Sequence, residues 1–454
     1  MTTAGLLGAN ALMTLVGLGL LVLLGVAPTT GDLRRRAALA PLTGMAAVGL
    51  IGATLEPFHV GIGPITLFLL AATALASGFW RLRPAAATRT MAWTTIDRAA
   101  VVGSIAVLGV VTATAIATFR VTPLAEYDGW AMWAMKGRAL AALGWADPAV
   151  FSNDLFDGPH PEYPLVVPVL HAIGIRSAGT FEGRLVILQC LVIGLAGLLA
   201  LFGIFRDRVR PVVLLPLIVA VAVAPVFFVQ LATGYADVPL AVFIAAGMAA
   251  SSRWLIDRGT PWLTIAVVFF AAAALTKNEG LLYACAALLG LLVVARGRRL
   301  HVIIAGAVVG LAILPWRLRV RADSLGAGDY DLAKPLGSGG LDERVSRAAE
   351  AVSRLIGYAT DTGRVGILVP LTIVLAIAAL VIGRRALGGF VLTYVGLSLG
   401  GLTWIYAISP LELNVYLDLS ANRVTTSAVL GAAATVPLLV EELSQALAKR
   451  SAGH

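Results

Sequence analysis

Residues 184–205 read RLVILQCLVIGLAGLLALFGIF, and the segment that follows carries Arg206, Arg208 and Arg210. An apolar run of about 20 residues is long enough to cross the hydrocarbon core of a bilayer as an α-helix. Similar runs recur along the chain, and their apolar residues are continuous rather than alternating, which argues against a β-barrel. The sequence therefore predicts an all-α, polytopic transmembrane helical protein.

The composition supports this class. Of the 454 residues, 59% are hydrophobic and 13% are charged, whereas soluble domains carry about 25% charged residues. The two cysteines, Cys190 and Cys285, lie inside apolar runs, so no disulfide framework or metal cluster is implied. The net charge of +9 comes from basic residues scattered at helix ends. They indicate membrane topology rather than binding of nucleic acid.

We place about 13 spans on the chain. Their predicted positions are 5–27, 41–57, 62–80, 99–119, 184–205, 211–231, 236–255, 261–276, 280–295, 300–316, 364–383, 388–408 and 424–441. No basic segment precedes the first run, so we do not expect a cleavable signal peptide. The run at 164–178 is too short for a span and is predicted to be an interfacial or re-entrant helix.

The connectors between these spans alternate in charge. Clusters of arginine fall on one side, which the positive-inside rule makes cytoplasmic. We therefore expect a multi-pass protein of the inner (cytoplasmic) membrane, with its N-terminus outside and its C-terminus inside. The long connectors 120–183 and 317–363 then lie outside, together with most of the acidic residues.

The first external connector opens with Glu126, Asp128, Trp130, Trp133 and Lys136 in close succession. Trp130 and Trp133 are three residues apart, so a regular helix would place them on one face as an anchor at the membrane surface. A plain amphipathic helix with Asp128 as its N-cap is the alternative interpretation. A catalytic carboxylate and an N-cap can share one position, so both interpretations stay open.

The same connector contains His160-Pro161-Glu162-Tyr163-Pro164. Two prolines favour an extended, stiff backbone here. His160 and Glu162 suit a divalent cation or a phosphate-bound water, and an ordinary surface loop is the alternative.

Two further polar motifs lie at the outer ends of predicted spans. Asp237 follows Gly234-Tyr235-Ala236, and a carboxylate at membrane depth is costly enough to mark function. Its alternative role is to cap the helix that follows. Lys277 and Glu279 form the tip of a predicted hairpin, where a lysine at head-group level can meet a lipid phosphate. A simple turn would explain the same pair.

Arginines complete the external set. Arg317, Arg319 and Arg321 depart from the positive-inside trend, which indicates anion binding unless the long loop exempts them. Arg423, at the outer end of the last span, can close over a phosphate or extend to the membrane surface. All six motifs fall on one predicted face, as an outward-facing active site requires.

The order of these motifs resembles the GT-C superfamily of membrane glycosyltransferases, which use polyprenyl-phosphate sugars. The pattern is most similar to Rgt-like bacterial glycosyltransferases, and more distantly to aminoarabinose transferases and protein O-mannosyltransferases. The resemblance implies a seven-span catalytic module at 99–316. Accessory helices at 1–98 would precede it, and an external loop with further helices at 317–454 would follow.

The resemblance also implies residue roles in an inverting sugar transfer to an acceptor hydroxyl. Asp128 would be the general base, with Glu126 as its neighbour. The donor phosphate and lipid would meet Lys277, Arg317, Arg319, Arg423 and Tyr163. Glu162, Asp237 and His160 are the candidate ligands for a divalent metal ion (Mg²⁺, Mn²⁺, Ca²⁺ or Zn²⁺). Further acceptor or donor contacts would come from Trp130, Trp133, Lys136 and Glu279.

The expected partners are a polyprenyl-phosphate-linked sugar, membrane lipid and a glycan, lipid-linked or protein acceptor. Two other functions compete with this one. A lipid or solute transporter or flippase would need polar groups and unwound helices near mid-membrane, and the sequence has few charged residues in the span centres. A non-catalytic scaffold of cell-envelope assembly would need only apolar interfaces.

Overall fold

A computed structural model describes residues 2–85, 93–144, 146–151, 160–325, 341–409 and 411–451. Within these ranges the regular structure is helical, apart from one isolated bridge between Thr29 and Arg83. The predicted all-α class is therefore confirmed.

The helices are numbered in chain order. The first group comprises α1 (Thr2–Leu23), α2 (Thr30–Arg36), α3 (Ala40–Leu55), α4 (Pro64–Arg81), α5 (Thr95–Val121), α6 (Met135–Leu143), α7 (Pro148–Phe151) and α8 (Val166–Ala178). The second comprises α9 (Gly183–Phe205), α10 (Pro211–Val223), α11 (Pro225–Gln230), α12 (Asp237–Asp257), α13 (Thr260–Ala274), α14 (Asn278–Val294) and α15 (Arg299–Ala322). The third comprises α16 (Leu341–Thr360), α17 (Thr362–Val365), α18 (Leu368–Ile382), α19 (Arg385–Ile408), α20 (Leu413–Ala433) and α21 (Val436–Ser451). A π-helix, Asp128–Ala134, leads directly into α6.

Nine helical segments in the described part of the chain are long and apolar enough to cross a membrane. Five shorter apolar helices accompany them. These lengths support a multi-pass membrane protein, while the total of about 13 spans stays a prediction.

Two predicted spans are interrupted in the structure. The span at 211–231 is divided between α10 and α11, because Ala224 precedes Pro225 and adopts an extended ψ of 122°. The span at 424–441 contains the junction between α20 and α21 at Ala434 and Thr435. Apolarity continues through both breaks, so hydropathy alone does not reveal them.

The helix α8 is packed inside the protein. Residues Val166–Ile175 are all buried, and the helix packs against α1, α3, α6 and α9. It is therefore covered by other helices, while its interfacial or re-entrant position in the membrane stays a prediction. The charge of Arg176 is accommodated by the carbonyl oxygens of Leu140, Ala141 and Ile62, so burial does not leave the guanidinium without acceptors.

The core centres on α12, whose residues Asp237–Trp254 are all buried. It packs against α9, α13, α14 and α20. At the N-terminal end, Gly17 and Gly44 allow α1 and α3 to cross closely. A Cβ atom at Gly44 would lie 1.7 Å from the carbonyl oxygen of Met13. Small residues serve this purpose in membrane proteins because they let helix backbones approach.

A reciprocal amide pair joins α1 to α9. The Asn10 side chain donates to Gln189 Oε1 at 2.9 Å, and the Gln189 side chain donates to Asn10 Oδ1 at 3.1 Å. Both side chains are buried. This pair links the predicted accessory segment 1–98 to the predicted catalytic module, although the division into these units stays a prediction.

We expect Asn10→Ala and Gln189→Ala each to lower stability, because each leaves the other amide buried without its partner. Hydrogen bonds between membrane helices contribute about 0.6 kcal/mol on average and at most about 1.7 kcal/mol. A double-mutant cycle on unfolding in detergent should show a coupling in that range. Thr264→Ala is the control, since in the described part of the chain the Thr264 hydroxyl bonds to Thr260 of its own helix. Additive losses would contradict the prediction.

Candidate active site

Asp128 and Arg423 form a contact between the start of the π-helix and α20. Asp128 begins the π-helix, and Arg423 lies on α20. Arg423 Nη1 donates to Asp128 Oδ2. The Arg423 guanidinium lies 4.6 Å from the centroid of the Tyr235 ring, and the Tyr235 hydroxyl donates to Glu126 Oε2 at 3.0 Å. Three of the six predicted motifs therefore meet here.

A second ionic group lies where α12 and α14 begin. Lys277 Nζ lies 3.1 Å from Asp237 Oδ1 and 3.2 Å from Glu279 Oε1. Asp237 and Lys277 are both buried. Burial lowers the pKa of Lys277, but the two carboxylates more than offset this, so its pKa lies above the usual value. Lys277 is therefore a charged ammonium balanced by its neighbours.

The two ionic groups are electrostatically coupled. Arg423 acts on the charges of both Asp237 and Lys277, and the Ser427 hydroxyl, one turn further along α20, donates to the carbonyl oxygen of Asp237 at 3.4 Å. Arg423 thus connects the Asp128 side of the site to the Asp237 side.

Aromatic rings enclose a third part of the site. The Tyr163 ring stacks against Trp133, with centroids 5.8 Å apart, and against His160, with centroids 5.0 Å apart. His160 Nδ1 lies 3.1 Å from Glu162 Oε1. Trp316 on α15 donates its indole N–H to the Glu162 carbonyl oxygen at 3.0 Å. Burial raises the pKa of Tyr163, and the nearby carboxylates, Glu279 foremost, raise it further.

Lys136 stabilises the turn that carries these rings. His160 has a φ of 55°, in the left-handed region that is unfavourable for a side-chain-bearing residue. Lys136 Nζ donates to the His160 carbonyl oxygen and lies 5.8 Å from the Tyr163 ring centroid and 5.9 Å from that of Trp133. Burial lowers the pKa of Lys136 to about 7, although Glu162 acts in the opposite direction.

The two predicted tryptophans do not share one face. Trp130 is 45% exposed, whereas Trp133 is 1% exposed and packs inward. The expectation of a paired surface anchor assumed α-helical geometry. A π-helix has more residues per turn, so residues three apart diverge.

The predicted arginines also separate. Arg317 donates to Asn278 Oδ1 at 3.0 Å, beside Lys277. Arg319 instead contacts the carbonyl oxygens of Pro57 and Ala146 and the carboxylate of Asp323. These contacts place the Arg319 guanidinium apart from the ionic groups.

The predicted metal ligands do not assemble. Among the described residues, no three His, Cys, Asp or Glu side chains come together in a form that would hold a metal ion. Asp237 is bonded to Lys277, while His160 and Glu162 pair with each other. A divalent cation requires several such ligands around one point. This donor set does not fit one.

Tyr406 and Tyr416 belong to the site but were absent from the sequence-based candidates. Their ring centroids lie 4.7 Å apart, and the Tyr406 hydroxyl shares a hydrogen bond of 2.7 Å with Ser420. Glu279, Lys277 and Arg423 all act electrostatically on Tyr406. Tyr406 ends an apolar run, so composition gave no reason to select it.

Part of the chain is similar to a known protein family. Residues 161–317 match the family model described as dolichyl-phosphate-mannose-protein mannosyltransferase. No curated protein and no solved structure matches the chain. The matched range contains Glu162, Asp237, Lys277 and Arg317, whereas Asp128 and Arg423 lie outside it.

The match confirms the predicted resemblance to GT-C membrane glycosyltransferases. The matched range comprises 157 of the 454 residues, so the similarity is to that segment of the chain.

We expect Lys136 to make stability depend on pH. Burial lowers its pKa to about 7 in the folded protein, against 10.5 for a lysine in the unfolded chain. Between these values the folded protein binds fewer protons than the unfolded chain, so stability rises with pH above about pH 7 and levels off near pH 10.5. The melting temperature of Lys136→Met should lack this rise, whereas the control Lys449→Met, at an exposed lysine, should keep it. Parallel pH profiles for the wild type and Lys136→Met would contradict the prediction.

Proposed function

We propose that the protein is an inverting glycosyltransferase that moves a sugar from a polyprenyl-phosphate donor to an acceptor hydroxyl at the extracytoplasmic face of the cytoplasmic membrane. The observation that carries this proposal is the contact of Asp128 with Arg423. It places a carboxylate that can accept a proton beside a cation that can meet a phosphate.

In the proposed reaction, Asp128 accepts the proton of the acceptor hydroxyl. The acceptor oxygen then bonds to the anomeric carbon from the side opposite the phosphate. The bond between that carbon and the phosphate oxygen breaks, and its electron pair leaves with polyprenyl phosphate. A single displacement of this kind inverts the anomeric centre, and the leaving phosphate needs positive charge rather than an acid.

Arg423 is the proposed phosphate ligand. One of its nitrogens bonds to Asp128, while its Nε is buried without a hydrogen-bond partner in the described part of the chain. A buried N–H without an acceptor is unfavourable, and a phosphate oxygen would supply one. Arg317, held by Asn278 beside Lys277, is the second candidate for this role.

Lys277 has a different proposed role. Its ammonium already has two carboxylate partners, Asp237 and Glu279. We assign it to neutralising these groups, so that their charge does not repel the donor phosphate. The ammonium thereby supplies positive charge at the point where the resemblance allowed a metal ion.

Asp128→Asn should reduce sugar transfer by about 10²- to 10⁴-fold, which is the usual contribution of a general base. The measurement is transfer of labelled sugar from a polyprenyl-phosphate donor by the purified protein. Asp418→Asn is the matched control. Asp418 also pairs with an arginine, Arg354, but its side chain is 63% exposed. Transfer by Asp128→Asn at the rate of the control would exclude Asp128 as the base.

Sugar transfer should also proceed without a divalent metal ion. Because Lys277 neutralises Asp237, we expect the rate to stay within about twofold after treatment with EDTA, an effect below about 0.4 kcal/mol on the barrier. Adding Mg²⁺ or Mn²⁺ back should not increase it. A loss of activity on chelation, restored by one of these ions, would show that a metal ion binds.

A further inference from the structure

An apolar cavity lies between α16, α18, α19 and α20, away from the ionic groups described above. Its volume is about 180 Å³. Leu355 of α16, Ile373 of α18, Leu399 of α19 and Ala428 of α20 are among its lining residues. This region follows the segment that matches the mannosyltransferase family.

The cavity surface is apolar even where threonines line it. The hydroxyls of Thr360, Thr372 and Thr425 each donate to a carbonyl oxygen four residues earlier in their own helix. Their methyl groups are left to face the cavity. A cavity lined in this way offers water no partners and stays dry. Its natural occupant in a membrane protein is a hydrocarbon chain.

An arginine lies beside this cavity. Val365 is 2% exposed and packs with Val429, Ala359 and Val369, all of which line the cavity. Its neighbour Arg364 donates through Nη2 to the carbonyl oxygen of Asn422 at 3.1 Å. The guanidinium lies 4.9 Å from the Tyr358 ring centroid.

One nitrogen of the Arg364 guanidinium lacks a hydrogen-bond acceptor in the described part of the chain. This nitrogen, Nη1, is buried. A buried donor of this kind needs an acceptor, and a phosphate oxygen is a strong one for arginine. A single molecule with a hydrocarbon chain and a phosphate would fill the cavity and satisfy Arg364 together.

We propose that this cavity binds a phospholipid of the surrounding leaflet, with one acyl chain between the four helices and its phosphate on Arg364. The proposal does not depend on the proposed function. The geometry of α20 argues for a phospholipid over the sugar donor. Arg423 and Thr425 are two residues apart and so point roughly 200° apart around the helix. A sugar held at Arg364 would therefore lie across α20 from Asp128.

The bound lipid should be retained when the full-length protein is purified in mild detergent. Native mass spectrometry then measures its mass and occupancy, before and after delipidation and addition of phosphatidylglycerol. Loss of a hydrogen bond between charged groups weakens binding by about tenfold or more. We expect that loss for Arg364→Gln, and a similar one for Ala428→Phe, which fills the cavity.

Two matched variants should bind the lipid as the wild type does. Arg120→Gln removes an exposed arginine at the end of α5. Gly396→Leu adds a side chain to α19 where a Cβ would have no atom within 4 Å. Thermal unfolding tests whether each variant is folded. If Ala428→Phe is unfolded, the lipid occupancy of Arg364→Gln alone tests the proposal. Equal lipid occupancy in Arg364→Gln and the wild type would overturn the proposal. So would the absence of retained lipid, or its displacement by polyprenyl phosphate.

Discussion

The contact between Arg423 and Asp128 is the constraint on which the rest of the site depends. It joins residues 295 positions apart in the sequence. For Arg423 to reach Asp128, α20 must lie along α12, and two other contacts keep it there. Ser427 reaches the backbone of Asp237, and the Tyr283 hydroxyl donates to the Val424 carbonyl oxygen at 2.7 Å. Without the guanidinium, carboxylates brought together by the helix ends would repel one another. The packing of α20 therefore makes the acidic site possible.

Charge balance within the chain also accounts for how Asp237 and Glu279 can lie close together. Carboxylates that converge in a dry environment require a positive partner, because an unpaired buried charge is strongly unfavourable. In this protein the partner is covalently part of the chain: Lys277 lies between Asp237 and Glu279. A metal ion would have to displace the ammonium to reach Asp237. Asp237, which the sequence suggests as a metal ligand, is in the folded chain a counterion of Lys277.

The sequence predicted the parts of this site better than their pairing. Helix class and the order of the motifs follow from apolar runs and polar interruptions, which are local properties. Asp237 was recognised because charge at membrane depth is costly, and Lys277 because a lysine at head-group level can meet a lipid phosphate. That they bond to each other depends on the packing of α12 against α13 and α14, which periodicity does not report. Trp133 was misplaced because the π-helix changes the number of residues per turn. Tyr406 gave no signal, because an aromatic residue at the end of an apolar helix is ordinary.

The external arginines show how a local rule is overridden by tertiary contacts. Arg317, Arg319 and Arg321 departed from the positive-inside trend and suggested anion binding. Arg319 proves to be held by backbone carbonyls and Asp323. The arginines of α16 behave similarly: Arg347 donates to carbonyl oxygens at the end of α19, and Arg354 pairs with Asp418. Such arginines fasten helices together, and counting them does not identify an anion site. Arg423 and Arg364 are informative because of their surroundings: in the described part of the chain each keeps a buried N–H without an acceptor, Arg423 beside carboxylates and Arg364 beside an apolar cavity. Arg423 lies on α20 and faces the carboxylates, whereas Arg364 lies on α17 beside the apolar cavity and donates to the Asn422 carbonyl oxygen of α20.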